Sequence, residues 1–211
     1  MSPESDLMPT STFENLSPEK KARILESAID EFSQRRFSEA SINQIIKAAE
    51  ISRGSFYQYF SDKEDLYVYM LQMIGEEKMK WVFGKVALDG DDDFFATYLK
   101  MFRAGLDWAA DKPKYARIGY LMRIDDSDFI TRLKGLSDQL NVKLAAMLER
   151  DKQLGRVRKD VDSALVVEMI LAVLSVEEVI KEYKAGSHEK MVERLEKVFA
   201  IIKGGIQVVQ G

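Results

Sequence analysis

The spacing of apolar residues constrains this fold more than any other feature, because it follows the period of an α-helix along most of the chain. Ser17-Pro18 pairs a favourable N-cap residue with proline at the first helical position. The apolar residues that follow share one helical face: Leu25, Ala28, Ile29 and Phe32. No convincing alternation of apolar and polar residues indicates a strand. The sequence therefore predicts an all-α protein, with a compact N-terminal unit of three helices followed by a larger helical bundle.

Two short helices joined by a tight turn are predicted between Ser41 and Phe60. Ser41 and Gln44 have the spacing of a capping box, and Ser52 is a new N-cap only a few residues later. The segment from Ser61 to Glu64 is a further capping signal that opens a long helix. Two short helices braced by a longer one can place a helix in the major groove of DNA. We therefore interpret this segment as a helix-turn-helix, although capped short helices also occur in other helical bundles.

The second short helix has one apolar side and one polar side. Phe56 and Phe60 are four residues apart and are predicted to be buried. Gly54 costs about 1 kcal/mol relative to alanine inside a helix, and close approach to DNA would explain its presence. The residues that can face outward are Arg53, Gly54, Ser55, Gln58 and Tyr59.

Charge and composition restrict the kind of nucleic-acid binding that is possible. The chain has 211 residues, a formal net charge of −4 and no cysteine, which excludes disulfides and thiolate zinc sites. Between Ser41 and Lys63 three basic residues stand against two acidic ones, a balance of +1. Affinity is therefore expected to come from a few placed contacts and not from a broadly basic surface.

The segment from Ser41 to Leu66 resembles the DNA-binding segment of tetracycline-repressor (TetR) family regulators. The resemblance covers about residues 20–70 and depends on the Ala48-Ala49 pair, the aromatic-rich third helix and the Lys-Glu-x-Leu run at Lys63. Glu50 is a departure, since the family usually has glycine in the turn. A left-handed residue with a side chain costs about 1–2 kcal/mol, so a slightly different turn is expected here.

The resemblance implies a role for each matching residue. Ser41, Tyr57 and Lys63 correspond to phosphate contacts, and Asn43 lies beside the first of them. Arg53, Ser55 and Gln58 correspond to base-edge or nearby contacts, although Arg53 could equally hold a phosphate instead of guanine. The full predicted DNA-binding set is Ser41, Asn43, Ser52, Arg53, Gly54, Ser55, Tyr57, Gln58, Tyr59 and Lys63.

Beyond this segment the resemblance implies a variable helical domain that binds a small-molecule effector and dimerises. Aromatic and methionine side chains of that part suit an apolar pocket, but ordinary core packing explains each of them as well. The candidate ligand-binding residues are Phe94, Tyr98, Phe102, Trp108, Tyr120, Met147 and Met169. Residues 161–208 would pair with a second copy across a two-fold axis, and an intramolecular helix pair would account for their apolarity equally well.

The expected organisation is a disordered arm over residues 1–16, a helix-turn-helix domain over 17–64 and a ligand-binding and dimerisation domain over 65–211. The expected function is a ligand-responsive, DNA-binding transcriptional repressor that acts as a homodimer on a palindromic operator in the cytoplasm. No cofactor, metal or membrane partner is expected, and no catalytic constellation is visible. The alternative is a helical interaction module or an enzyme that uses a similar three-helix unit without specific DNA binding.

Overall fold

The computed structural model describes residues 9–86, 91–135, 138–174 and 187–207. The described chain divides into two compact units. The first unit contains the residues up to Lys80 together with Trp108–Lys134, and the second contains Trp81–Asp107 and the residues from Gly135 onward. The predicted boundary at residue 64 between a DNA-binding and a ligand-binding domain stays a prediction. The first compact unit extends well beyond that residue.

The described residues form eleven α-helices and no strand beyond a single bridge between Val157 and Gln207, which confirms the all-α prediction. None of these helices is both long and apolar enough to cross a membrane. In chain order the helices are α1 (Ser11–Glu14), α2 (Pro18–Gln34), α3 (Ile42–Ala48), α4 (Arg53–Tyr59), α5 (Lys63–Lys85), α6 (Phe94–Asp111), α7 (Pro113–Ile124), α8 (Asp128–Gly135), α9 (Asp138–Gln153), α10 (Ser163–Leu174) and α11 (His188–Ile206).

The N-terminal segment differs from the sequence-based expectation of a disordered arm, because residues 9–16 are ordered. Thr10 caps the short helix α1 by accepting a hydrogen bond from the N–H of Phe13. Phe13 is fully buried, and its ring lies 4.8 Å from that of Phe60 and 5.5 Å from that of Tyr69. Burying one phenylalanine contributes about 1.5–3 kcal/mol towards holding this segment, whose polar composition alone gave no reason to expect order.

Helix α2 begins as the sequence predicts, with Ser17 accepting a hydrogen bond from the N–H of Lys20 and Pro18 at the first position. Its buried face is centred on Ile24, Ala28 and Phe32, and Leu25 lies at the edge of that face. The helix thereby presents an apolar stripe on which α3 and α7 pack.

The start of α5 is capped one residue later than the sequence predicts. The Asp62 side chain accepts a hydrogen bond from the N–H of Asp65, and the Asp65 carboxylate accepts one from the N–H of Ser61, both at 2.9 Å. These two hydrogen bonds take the role expected of Ser61 and Glu64, because a carboxylate is as good a cap as a hydroxyl.

The second unit has its own core, built from α6, α9, α10 and α11. Phe95 of α6 packs against Phe199 of α11, with their rings 5.1 Å apart, and Phe94 belongs to the same core. The buried Asp151 carboxylate accepts a hydrogen bond from the N–H of Phe94 at 2.6 Å, which holds the beginning of α6 to the end of α9. The remaining buried members of this core are Leu144, Leu148, Val157, Val161, Val166, Val167, Ile170 and Leu195.

Candidate nucleic-acid interface

The turn between α3 and α4 contains a left-handed residue that is not glycine. Glu50 has φ of 52°, so the left-handed geometry is kept although the position carries a side chain. Arg23 of α2 braces this turn: its Nε donates to the carbonyl of Ala49 at 2.8 Å, and its Nη1 lies 3.9 Å from the Glu50 carboxylate. The left-handed conformation is therefore retained at Glu50, contrary to the expected change of turn, and a neighbouring helix holds the turn in place.

The beginning of α3 is not closed by the predicted capping box. The Ser41 side chain makes no cap hydrogen bond, and its backbone N–H donates instead to the Glu31 carboxylate at 2.9 Å. The prediction that Ser41 and Gln44 cap this helix is wrong, because Glu31 reaches in from α2. The half-buried Ser41 hydroxyl and the exposed Asn43 side chain lie at the beginning of α3, where the resemblance places them.

Helix α4 begins with the predicted cap and buries the predicted residues. The Ser52 hydroxyl accepts a hydrogen bond from the N–H of Ser55 at 2.9 Å, and the two hydroxyls lie 2.8 Å apart. Phe56 and Phe60 are fully buried, with ring centroids 5.9 Å apart. These packed rings fix the rotation of the short helix about its axis, and so determine which side chains it presents outward.

The outward face of α4 contains several of the predicted DNA-binding residues. Arg53, Tyr57 and Gln58 are exposed, and the Arg53 guanidinium lies 5.8 Å from the centre of the Tyr57 ring. At Gly54 an added Cβ would meet only the Ser52 hydroxyl, at 3.8 Å. Packing within the protein therefore gives no reason for glycine at this position.

Tyr59 does not face outward, in contrast to the sequence-based expectation. Only 4% of it is exposed, and its ring lies 6.1 Å from Phe13 and 5.5 Å from the Lys20 ammonium. Tyr59 follows Phe56 by three residues and shares its helical face, and α1 covers that face. A role for Tyr59 in contacting DNA stays untested, but the described position makes it part of the core.

Lys63 is half-buried and already serves the protein itself. Its ammonium donates to the carbonyls of Phe37 at 2.7 Å and Ala40 at 3.0 Å, and it lies 4.5 Å from the Phe37 ring. Burial lowers the pKa of Lys63, partly offset by nearby carboxylates. The phosphate contact that the resemblance implies stays a prediction, and it would have to use the one N–H that these two bonds leave over.

Two residues that support the interface carry little sequence signal and were not predicted. Thr10 reaches the end of α4, where its hydroxyl donates to the carbonyl of Gln58 at 2.5 Å and its N–H donates to the carbonyl of Tyr59 at 3.0 Å. Arg23 braces the turn from the other end of the segment. The Thr-x-x-Phe pattern at Thr10 is a weak cap signal, and nothing local to Arg23 indicates its role.

The predicted ligand-binding residues do not all come together. Phe94, Tyr98, Phe102 and Met147 lie in or against the core of the second unit, with the Phe94 and Tyr98 rings 5.9 Å apart. Trp108 and Tyr120 belong to the first unit. Met169 is 51% exposed and lies on the surface of α10.

Large apolar side chains are exposed on the two C-terminal helices that are expected to dimerise. On α10, Leu165 is 52% exposed and lies one helical turn before Met169. On α11, Ile201 is 77% exposed. Of the predicted dimerisation range, residues 175–186 and 208 lie outside the described residues.

The known proteins that are similar to this chain in sequence and those that are similar to it in structure are regulators of the same kind. Residues 24–70 match the family model described as bacterial regulatory proteins, tetR family. The chain is 23% identical over 158 residues to the uncharacterised HTH-type transcriptional regulator YdgC of Bacillus subtilis, covering 74% of this chain and 77% of that one. It is 27% identical over 135 residues to the HTH-type transcriptional regulator RutR of Escherichia coli K12, covering 64% and 59% of the two chains.

A solved structure extends this similarity over almost the whole chain. The crystal structure of a TetR family transcriptional regulator from Chloroflexus aurantiacus is 27% identical, with a TM-score of 0.66, and the match covers 96% of this chain and 100% of that one. The match includes the helices that follow the helix-turn-helix as well as the segment on which the sequence resemblance depends.

Proposed function

This chain is a helix-turn-helix transcriptional regulator of the TetR family, and on that premise we propose that it represses transcription by binding a palindromic operator as a homodimer. The observation that carries the proposal is the exposed face of α4, with Arg53, Tyr57 and Gln58 on a short helix whose opposite side is fully packed. A rigid helix with small and hydrogen-bonding groups outward fits the major groove.

The proposed contacts divide into positioning and base-reading contacts. Ser41, Tyr57 and the remaining N–H of Lys63 hold phosphates and set the register of the protein on the duplex. Arg53 reads a guanine, an interaction worth about 1–3 kcal/mol of discrimination, and Gln58 lies on the same face. Gly54 lets the backbone approach the groove, since no internal contact requires it.

Dimerisation uses the exposed apolar side chains of the second unit. Leu165 and Met169 on α10 and Ile201 on α11 are too exposed to stabilise a monomer, and burial against a second copy would stabilise the dimer by about 25 cal/mol per Å² of apolar area. A two-fold dimer presents two copies of α4, so its operator is palindromic. Met169 is assigned to this surface in place of the ligand site.

Release is proposed to follow binding of a small molecule in the part of the chain that follows the helix-turn-helix. Phe94, Tyr98, Phe102 and Met147 supply an apolar, polarisable environment of the kind that ligand sites use. Burial raises the pKa of Tyr98 to about 12, so its hydroxyl stays neutral and able to donate. A ligand that changes the spacing of the two copies of α4 weakens operator binding without altering any DNA contact.

Footprinting of the purified protein on the DNA upstream of its own gene tests this function. A protected palindrome, lost when the cognate effector is added, is the expected result. Binding without sequence preference would favour an interaction module instead, and turnover of a candidate ligand by purified protein would favour an enzyme. A protein that binds an operator has to share a compartment with the chromosome, and this agrees with the expected cytoplasmic location.

A further inference from the structure

The short segment from Thr10 to Phe13 ties the end of α4 to the rest of the first unit. The Thr10 hydroxyl donates to the carbonyl of Gln58 at 2.5 Å, and the Thr10 N–H donates to the carbonyl of Tyr59 at 3.0 Å. The last carbonyls of an α-helix have no partner within the helix itself. A residue 48 positions away in sequence therefore closes the C-terminal end of α4.

Phe13 anchors this segment on the same end of α4. Its fully buried ring lies 4.8 Å from the Phe60 ring and 6.1 Å from the Tyr59 ring. The Thr10 hydroxyl also accepts a hydrogen bond from the N–H of Phe13 at 3.4 Å, so the anchored residue holds the group that donates to Gln58. Consecutive residues of a helix point about 100° apart, so holding Tyr59 in the core leaves Gln58 exposed on the outward face.

A helix as short as α4 depends on such contacts for its exact position. It has seven residues, and isolated helices shorter than about 12–15 residues are marginally stable in water. Its beginning is closed by its own N-cap residue, Ser52. The contacts of Thr10 therefore act on the C-terminal turn of α4, which carries Gln58, and not on the N-terminal turn, which carries Arg53.

We propose that Thr10 is a positioning residue for base reading, because it holds the backbone carbonyl of Gln58 and thereby fixes the orientation in which the Gln58 side chain meets a base edge. This inference rests on the proposed operator binding by α4 and adds to its specificity a residue that acts through another one. A hydrogen bond weakens steeply when its donor angle is bent, so a base-reading side chain needs a fixed backbone.

Base discrimination along the operator tests the proposal. Each base pair of the footprinted duplex is replaced in turn, and each full-length variant is scored by the ratio of its affinities for the original and the replaced duplex. Gln58→Ala should lose discrimination at the position that Gln58 reads, and Arg53→Ala should lose it at a different position. This ratio compares two duplexes for one variant, so partial unfolding of that variant does not change it.

Thr10→Val removes the hydroxyl and keeps the size of the side chain. At the position read by Gln58, the discrimination of about tenfold that a good base contact provides should fall to about twofold or less in this variant. At the position read by Arg53, the discrimination should stay within about twofold of wild type. A purely structural role of Thr10 would weaken binding to all duplexes equally and leave both ratios unchanged.

Thr12→Val is the matched control, because Thr12 is an exposed threonine of the same short helix. It should keep every ratio, and Thr10→Ser, which retains the hydroxyl, should behave as wild type. Thr10→Asp can still cap α1 but cannot donate to the Gln58 carbonyl, so it should lose the same discrimination as Thr10→Val.

Unchanged discrimination at the Gln58 position in Thr10→Val, or an equal loss at the Arg53 position, would overturn the proposal. A wild-type preference for the footprinted duplex that Gln58→Ala leaves intact at every position would overturn this inference alone. A wild-type protein without any sequence preference would overturn the proposed function, and this inference with it.

Discussion

The Asp125 carboxylate accepts two hydrogen bonds from Ser38, one from the backbone N–H at 2.9 Å and one from the hydroxyl at 3.1 Å. Ser38 belongs to the turn that leads from α2 into α3, and Asp125 ends α7. Lys63 donates to two carbonyls of the same turn from the start of α5. The segment that sets the position of the helix-turn-helix is therefore fixed from two other helices of the first unit.

This relationship predicts a pH-dependent contribution to stability. Burial alone would raise the pKa of Asp125, but the hydrogen bonds from Ser38 and Ser127 outweigh it and lower the pKa to about 2, from an ordinary 3.8. The carboxylate therefore stabilises the fold fully above about pH 4 and progressively less as the pH falls towards 2. Urea unfolding should show Asp125→Asn to be less stable than wild type by about 2 kcal/mol at pH 7.

The difference in unfolding free energy between wild type and Asp125→Asn should narrow between pH 4 and pH 2. Replacing the exposed neighbour Asp126 with asparagine is the control and should change the stability little. A gap of constant size over that pH range would show that the Ser38 contact does not act through the charge.

Replacing Glu50 with glycine should stabilise the protein. The left-handed conformation costs a residue with a side chain about 1–2 kcal/mol, and glycine removes that cost. The substitution also removes the ion pair with Arg23, but that pair is exposed and 3.9 Å long, so its removal offsets little of the gain. We expect the free energy of unfolding to rise by about 1 kcal/mol. Glu76→Gly, at an exposed helical position, should lower it by a similar amount, and equal effects of the two changes would refute strain at Glu50.

Gly54→Ala should separate folding stability from DNA binding. Alanine is better than glycine in a helix by about 1 kcal/mol, and the added methyl group meets only the Ser52 hydroxyl. The variant should therefore melt at a higher temperature and bind operator more weakly. Gly75→Ala is the control, since nothing lies within 4 Å of a Cβ there. This control variant should gain similar stability and keep full affinity for the operator. Full operator affinity in Gly54→Ala as well would contradict the proposed close approach of the α4 backbone to DNA.

Charged substitutions on α10 test the dimer surface. Leu165→Glu combined with Met169→Glu should shift the protein to a monomer in sedimentation equilibrium while its circular dichroism stays unchanged, because both side chains are about half exposed. Val142 is 67% exposed on α9, and Val142→Glu is the control that should leave the dimer intact. A double variant that remains dimeric at micromolar concentration would place the interface elsewhere.

Local features of the helix-turn-helix could be predicted from sequence, and the longer-range ones could not. The Ser52 cap and the burial of Phe56 and Phe60 depend on neighbours within one or two helical turns, so their spacing was sufficient. Tyr59 was assigned outward because nothing in its own helix shows that Phe13 covers it.

The same limit applies to the residues that support the interface and the ligand site. Glu31 replaces the side-chain cap at Ser41 from another helix, and the carbonyls held by Lys63 become acceptors only when the chain folds. Trp108 falls in the first unit although its position along the chain suggested the ligand domain. Composition indicated an aromatic-rich region, but it could not show which of these side chains pack into one core.

The central claim is that the exposed face of α4 recognises a specific DNA sequence. The most direct measurement is the affinity of the protein for the footprinted duplex and for a scrambled duplex of the same composition, at one fixed salt concentration. Wild type should prefer the footprinted duplex by about a thousandfold or more. Arg53→Ala combined with Tyr57→Ala should abolish that preference without disturbing the fold or the dimer, whereas Arg117→Ala, which removes another exposed arginine that lies over a tyrosine ring, should preserve it. Equal affinity of wild type for both duplexes, or an unchanged preference in the double variant, would contradict the account.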